Sequence, residues 1–121
     1  MSPMLSGYIE CALWSSSDID AEGNEIRLDE GQEISAELQE QFEEDISGFR
    51  ELCEDNCPEE LAEYLENESE SRFGHDFWLT RNGHGAGFWD RSRDGYPNLT
   101  KWSKTYGSHD LYIGDDGRIY G

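Results

Sequence analysis

The sequence predicts a single α+β domain in which N-terminal acidic helices pack on a small antiparallel sheet of two β-hairpins. Three observations lead there. The chain has 121 residues, within the usual range of about 100–200 for one domain. Its first half places apolar residues at helical spacing. Its second half carries two turn signals, Asn82-Gly83 and Asp115-Asp116-Gly117, each between alternating apolar residues. The predicted order is α-α-α-β-β-α-β-β, helices first and hairpins later. Within the one domain, 1–121, residues 1–70 form an acidic helical part and residues 71–121 an aromatic hairpin part.

Ser2-Pro3 reads as a helix start, with Ser as N-cap and Pro where its missing N–H costs nothing. Leu5, Ile9 and Leu13 recur every fourth residue, giving a helix over about 3–14. Residues 18–33 are polar and contain Gly23-Asn24, so they read as a loop. Ser35 then caps a helix with Leu38, Phe42, Ile46, Phe49 and Cys53 on one face, at spacings of 4, 4, 3 and 4. Glu33, Glu37, Glu40, Glu44, Glu51 and Glu54 lie opposite. Pro58 opens a shorter helix with Leu61, Tyr64 and Leu65 inward and Glu59, Glu60, Glu63 and Glu66 outward.

Residues 75–81 and 84–90 flank Asn82-Gly83, a type I′ hairpin signal. One face of that hairpin would hold Phe77, Leu79, Ala86 and Phe88, the other Trp78 and Trp89 among Gly85 and Gly87. Asn98 would cap a short helix through Leu99 and Trp102 to Tyr106, closed by Gly107. A final hairpin places Leu111, Ile113 and Ile119 on one face and Tyr112 and Tyr120 on the other. Its three-residue turn has Gly117 in the left-handed conformation.

Charge is distributed unevenly. Residues 1–70 hold 22 Asp+Glu against 2 Lys+Arg, and residues 71–121 hold 6 against 7. The total of −19 repels nucleic acid and anionic membrane and attracts basic protein surfaces. Disorder is an unlikely source of that acidity, because aromatics reach 12% and can build a core. The sequence shows no signal-peptide pattern and no apolar run approaching the ~20 residues of a membrane span. Cys11, Cys53 and Cys57 are sparse and odd in number, which predicts buried, reduced thiols in a cytoplasmic protein.

The acidic helices carry the main candidate site: Glu37, Glu40, Glu44, Glu51, Glu59 and Glu63. Carboxylates one helical turn apart are spaced about 6 Å along the axis. One row is sparser than a DNA strand, with a charge every ~3.4 Å, but two or three adjacent rows approach duplex density. Like charges at this spacing each cost a few tenths of a kcal/mol, and only Arg27 and Arg50 are nearby to offset them. A face serving solubility alone would intersperse Lys. The predicted partner is therefore the basic surface of a nucleic-acid-binding protein, with no direct nucleic acid, no membrane, no cofactor and no metal.

Two alternatives use the first hairpin. Trp78, Trp89 and His84 could form a protein-recognition face, the acidity then serving only solubility. A lesser alternative is a metal-dependent hydrolase using His75, Asp76 and Asp90, with His75 opposite Asp90 across the strands. His84 would sit some 20 Å of strand from His75, too far to share an ion. No catalytic motif is evident, and Asn82-Gly83-His84-Gly85 lacks the Lys and helix N-terminus of a phosphate loop. The cations Arg72, Arg81, Arg91, Arg93, Lys101 and Lys104 read as supports for the acidic helices from beneath.

The segment GHDFWLTRNGHGAGFWDR (residues 74–91), Tyr106-Gly107, DLYIGDDG (110–117) and the opening GYIECALWSS (7–16) resemble a family of small uncharacterised bacteriophage proteins. The resemblance covers about half the chain, and residues 29–70 are more acidic than the family pattern. No catalytic residues carry over. The resemblance implies a phage gene acting in the bacterial cytoplasm. Small acidic phage proteins are often inhibitors of host nucleic-acid-binding enzymes, including restriction and CRISPR systems, so by analogy the expectation is a non-enzymatic, DNA-mimicking inhibitor.

Overall fold

The computed structural model describes residues 2–19, 22–28, 33–84, 86–91 and 95–121. The element order is α1 (Pro3–Ser15), β1 (Ser17–Ile19), β2 (Glu25–Arg27), α2 (Ala36–Asn56), α3 (Pro58–Asn67), α4 (Glu70–Arg81), a 3₁₀ turn (Phe88–Asp90), α5 (Pro97–Lys104), β3 (Tyr112–Ile113) and β4 (Ile119–Tyr120). The chain is mixed helix and sheet, but the helices do not lie on a sheet. They pack on one another, and two separate two-stranded antiparallel sheets sit beside them.

Local signals explain the helices. Ser2 Oγ accepts from Leu5 N at 3.2 Å to start α1, and Ser35 Oγ accepts from Leu38 N at 3.1 Å to start α2. The five apolar residues expected on α2 are all buried, as are Leu61 and Tyr64 of α3. Buried hydrophobic residues form one cluster that draws on both halves of the chain. Its centre is aromatic: Phe49 stacks on Phe77 at 4.0 Å and 6°, and Tyr8 meets Phe42 edge-on at 5.0 Å.

The largest departure from the sequence reading is α4. Residues 70–81 are a helix, not a hairpin strand, with Ser69 Oγ accepting from Arg72 N at 3.1 Å as its cap. Every residue from Phe73 to Arg81 except His75 is buried. A helix covered on nearly all sides shows no 3.6-residue period, so its apolar run also fits strand alternation. Asn82-Gly83 is the helix end. Gly83, at φ +71°, donates to Thr80 O at 3.2 Å, and His84 N donates to Leu79 O at 3.0 Å. This is the paired closure that a left-handed glycine permits after a helix.

Two glycines set the depth of α4. A Cβ on Gly74 would fall on the Met4 carbonyl oxygen, and one on Gly7 would fall on that of Ser71. Helices α1 and α4 therefore cross with backbones touching, which only glycine allows.

Two further expectations change. The loop over 18–33 contains the β1–β2 hairpin, pairing Ser17 with Arg27 and Ile19 with Glu25, although residues 20, 21 and 29–32 lie outside those described. Asn98 does not cap α5. The cap position is Tyr96, and Glu60 of α3 accepts from Asn98 N and Leu99 N, each at 2.9 Å. A carboxylate at a helix N-terminus meets both unpaired N–H groups and the positive end of the dipole. Glu60 is thus partly buried and occupied, not outward.

The terminal hairpin forms as expected. Tyr112 pairs with Tyr120 and Ile113 with Ile119, and Gly117 has φ +80°. Strand β4 also bonds in parallel to the start of α2, with Ser35 N donating to Ile119 O at 2.8 Å and Ile119 N to Glu33 O at 2.9 Å.

Candidate partner-binding surface

Helix α2 separates its carboxylates by depth. Glu37, Glu40, Glu44 and Glu51 are exposed, as are Glu59 and Glu63 of α3. Among the described residues none of these six side chains has a hydrogen bond or ion pair. From Glu37 to Glu51 the row runs about 21 Å along the helix. Ser47 and Gly48 interrupt it for part of a turn. The helix continues to Glu54, and Arg50 pairs with Glu54 at 3.0 Å and with Glu70 at 3.6 Å.

Asp45 lies on the same helix but faces inward, 9% exposed. Arg81 Nη1 donates to its Oδ2 at 3.0 Å, and Gln41 Nε2 donates to its Oδ1 at 2.9 Å. The other Arg81 donors reach Tyr8 Oη (2.8 Å), Gly107 O (2.8 Å) and Tyr106 O (3.2 Å). The guanidinium also lies 5.4 Å from the Tyr106 ring centroid. A buried ion pair is tolerable only when its remaining polar atoms find partners, and here they do. Burial pushes the neighbouring Tyr8 phenol far above its ordinary range, against the lowering effect of Arg81.

Arg81 is therefore the cation that holds α2 from beneath. The other cations named for that role act elsewhere: Arg72 lies 4.0 Å from Glu68, and Arg91 serves α4. Lys101 and Lys104 have no carboxylate within ion-pair distance among the described residues, and Arg93 lies outside them.

A second buried carboxylate closes the other end of the core. Asp76, fully buried, accepts from Arg91 Nε and Nη2 at 2.9 Å each and from Tyr64 Oη at 2.6 Å. Burial first, then this hydrogen bond, holds the Tyr64 phenol strongly raised and neutral.

The hairpin that both alternatives use does not form, and its residues are arranged differently. Trp78 is 1% exposed and its Nε1 donates to Ser15 Oγ at 2.8 Å, whereas Trp89 is 46% exposed on the 3₁₀ turn. The two indoles share no face. His84 is exposed just beyond α4, and Gly85 lies outside the described residues. His75 does not meet Asp90. Its ring lies 6.5 Å from that of Trp14, and its Nδ1 is 3.8 Å from Asp76 Oδ1. Asp90 instead accepts from Gly87 N at 3.4 Å and lies 3.9 Å from Arg91 Nε. Asp76 is taken up by Arg91 and Tyr64, so the expected grouping of His75, Asp76 and Asp90 is not found. Among the described residues no three His, Cys, Asp or Glu side chains converge as metal ligands.

The three cysteines are free and buried. Burial raises the Cys11 thiol to about 12 and pushes those of Cys53 and Cys57 up as well, so none is held as a thiolate at neutral pH.

The sequence missed Asp45 and Asp76 as interior residues. Asp45 had a readable signal, since it falls between Phe42 and Phe49 at the edge of the apolar stripe. Asp76 was hidden with α4 itself. Among the described residues no helix is long and apolar enough to cross a membrane. No protein family, curated protein or solved structure matches this chain.

Proposed function

We propose that the protein is a non-enzymatic inhibitor whose acidic face docks on the basic nucleic-acid-binding cleft of a bacterial protein, of the restriction or CRISPR kind, and excludes DNA or RNA from it. One observation carries this reading. The buried carboxylates Asp45 and Asp76 each have an arginine, while Glu37, Glu40, Glu44, Glu51, Glu59 and Glu63 stand exposed without an ion pair among the described residues. Unneutralised like charges on adjacent turns cost stability. A basic partner would remove that cost on binding and would be drawn in by the field before contact.

The test is capture of partners from bacterial lysate, with immobilised protein, at about 0.1 M and about 0.5 M salt, where the screening length falls from ~10 Å to a few Å. A captured protein that is released at the higher salt and stops binding DNA when the inhibitor is added supports the reading. A partner retained equally at both salts, or one whose DNA binding is unaffected, contradicts it.

A further inference from the structure

The terminal hairpin carries a second recognition feature, next to the acidic face. Tyr112 and Tyr120 are cross-strand partners with ring centroids 6.0 Å apart and planes 21° apart. Together with Gly114, Asp115 and Asp116 they line a shallow depression of about 360 Å³. Tyr112 is 52% exposed, so one face of its ring is open to solvent beside Tyr120.

The depression is held in shape. Tyr120 Oη donates to Asp116 Oδ2 at 2.8 Å, and Arg118 N donates to Asp116 Oδ1 at 3.0 Å. The Tyr120 ring lies directly over Gly114, where a Cβ would collide with it. The ring is thus fixed by a hydrogen bond at one end and a glycine floor beneath. Strand β4 is itself bonded to Glu33 and Ser35 at the start of α2. Glu37, the first residue of the acidic row, follows Ser35 by two residues. The hairpin that forms the depression is therefore tethered at the start of α2.

We propose that this depression takes an arginine side chain of the basic partner, its guanidinium against the Tyr112 ring and its N–H groups toward Asp115 and Asp116. This rests on the acidic-face reading and gives it a specific anchor. Two aromatic faces beside carboxylates favour a cation. The choice of arginine over lysine follows from its flat, weakly hydrated group, which stacks on a ring and forks to a carboxylate, whereas an ammonium is a strongly hydrated point charge. Arg118, the one Lys or Arg between residues 111 and 121, makes no cation–ring contact with Tyr112 or Tyr120. The cation–ring contacts among the described residues belong to Arg81 and Lys101.

The test uses the full chain and two short capped peptides, one with three arginines spaced by glycine and serine and one with three lysines, titrated calorimetrically at low salt. The arginine peptide should bind more tightly. Tyr112→Ala should weaken it roughly 3- to 30-fold while affecting the lysine peptide less. Gly114→Ala, which displaces the Tyr120 ring, should act in the same direction, and Tyr112→Phe should retain binding. Tyr112 is half in solvent, so its removal leaves the fold intact, as an unchanged thermal melt would verify. The comparison variant replaces Glu37, Glu44, Glu51 and Glu59 by Gln. If that variant loses affinity and Tyr112→Ala does not, the tyrosine site is overturned and the acidic face stands. If Tyr112→Ala loses affinity and the Gln variant does not, the tyrosine site stands without the acidic face. Equal binding by all variants, or no binding by either peptide, overturns both.

Discussion

The outer and inner sides of α2 treat the same functional group in opposite ways. Outside, Glu37, Glu40, Glu44 and Glu51 project to solvent with no ion-pair partner among the described residues. Inside, Asp45 is locked to Arg81 at 3.0 Å, and each of the three guanidinium nitrogens donates at least one hydrogen bond. Asp76 repeats the inner pattern on α4 with Arg91 and Tyr64. The difference separates two uses of acidity. A carboxylate in the core must be neutralised by its own chain, because desolvating an unpaired charge costs several kcal/mol. A carboxylate on the surface costs only tenths, so it can stay unpaired and available to another molecule.

The largest expected effect breaks the inner side. Arg81→Met leaves Asp45 buried and unpaired and should destabilise the fold by about 3–5 kcal/mol in urea unfolding. Adding Asp45→Leu should recover much of that loss, since removing both charges leaves no orphan. If Arg81→Met costs under about 1 kcal/mol, Asp45 is not the dependent partner described here.

Next comes the helix crossing that makes the inner side possible. Gly74→Ala gains about 1 kcal/mol of helix propensity but drives a methyl into the Met4 carbonyl. Overpacking of this kind typically costs about 1–3 kcal/mol and can cost more, and here backbone must move, so the net result should be destabilising. A melting temperature above that of the wild type would contradict the close crossing of α1 and α4.

Glu60 tests the boundary between the two classes, because it is an acidic-helix residue doing internal work. Glu60→Ala should cost about 1 kcal/mol by freeing the first N–H groups of α5, whereas Glu59→Ala beside it should be nearly neutral. Equal effects in a paired denaturation experiment would erase the distinction.

The smallest effect is a pH dependence at the hairpins. Backbone N–H groups of Ile113 and Ile19 hold the Asp18 carboxyl below its usual range, and Arg118 N with Tyr120 Oη does the same for Asp116. A carboxyl lowered in the folded state stabilises it above the unfolded value of about 3.9 and loses that contribution as pH falls below it. Amide exchange at Ile113 and Arg118 should therefore speed up as pH drops from about 5 to about 3, after correction for intrinsic rates. Constant protection across that interval would show that these bonds do not depend on the charge.

The helices that could be read from the sequence were those with one wet face. In α2 and α3 the apolar stripe, the Ser35 cap and Pro58 agree, and each places its Glu residues outward, Glu60 excepted. The terminal hairpin was legible because Gly117 and the two tyrosines fix its turn and faces together. Helix α4 was not. Buried on nearly all sides, it loses the contrast between wet and dry positions from which period is read, and the same Asn-Gly pair that turns a hairpin also ends a helix. That single misreading also produced the Trp78/Trp89 face and the His75–Asp90 pair. The outward position of the six Glu residues could be read directly from the pattern, while the support beneath α2 could not, because Asp45–Arg81 joins positions 36 residues apart.

The central claim is that the outward carboxylates are a binding surface. The most direct measurement is the affinity of the lysate-captured partner for the wild type and for the variant with Glu37, Glu44, Glu51 and Glu59 replaced by Gln, followed from about 0.1 M to about 0.5 M salt. Wild-type affinity should fall steeply with salt, and the variant should bind weakly from the start with a shallower slope. Affinity that is the same for both proteins and insensitive to salt would contradict it.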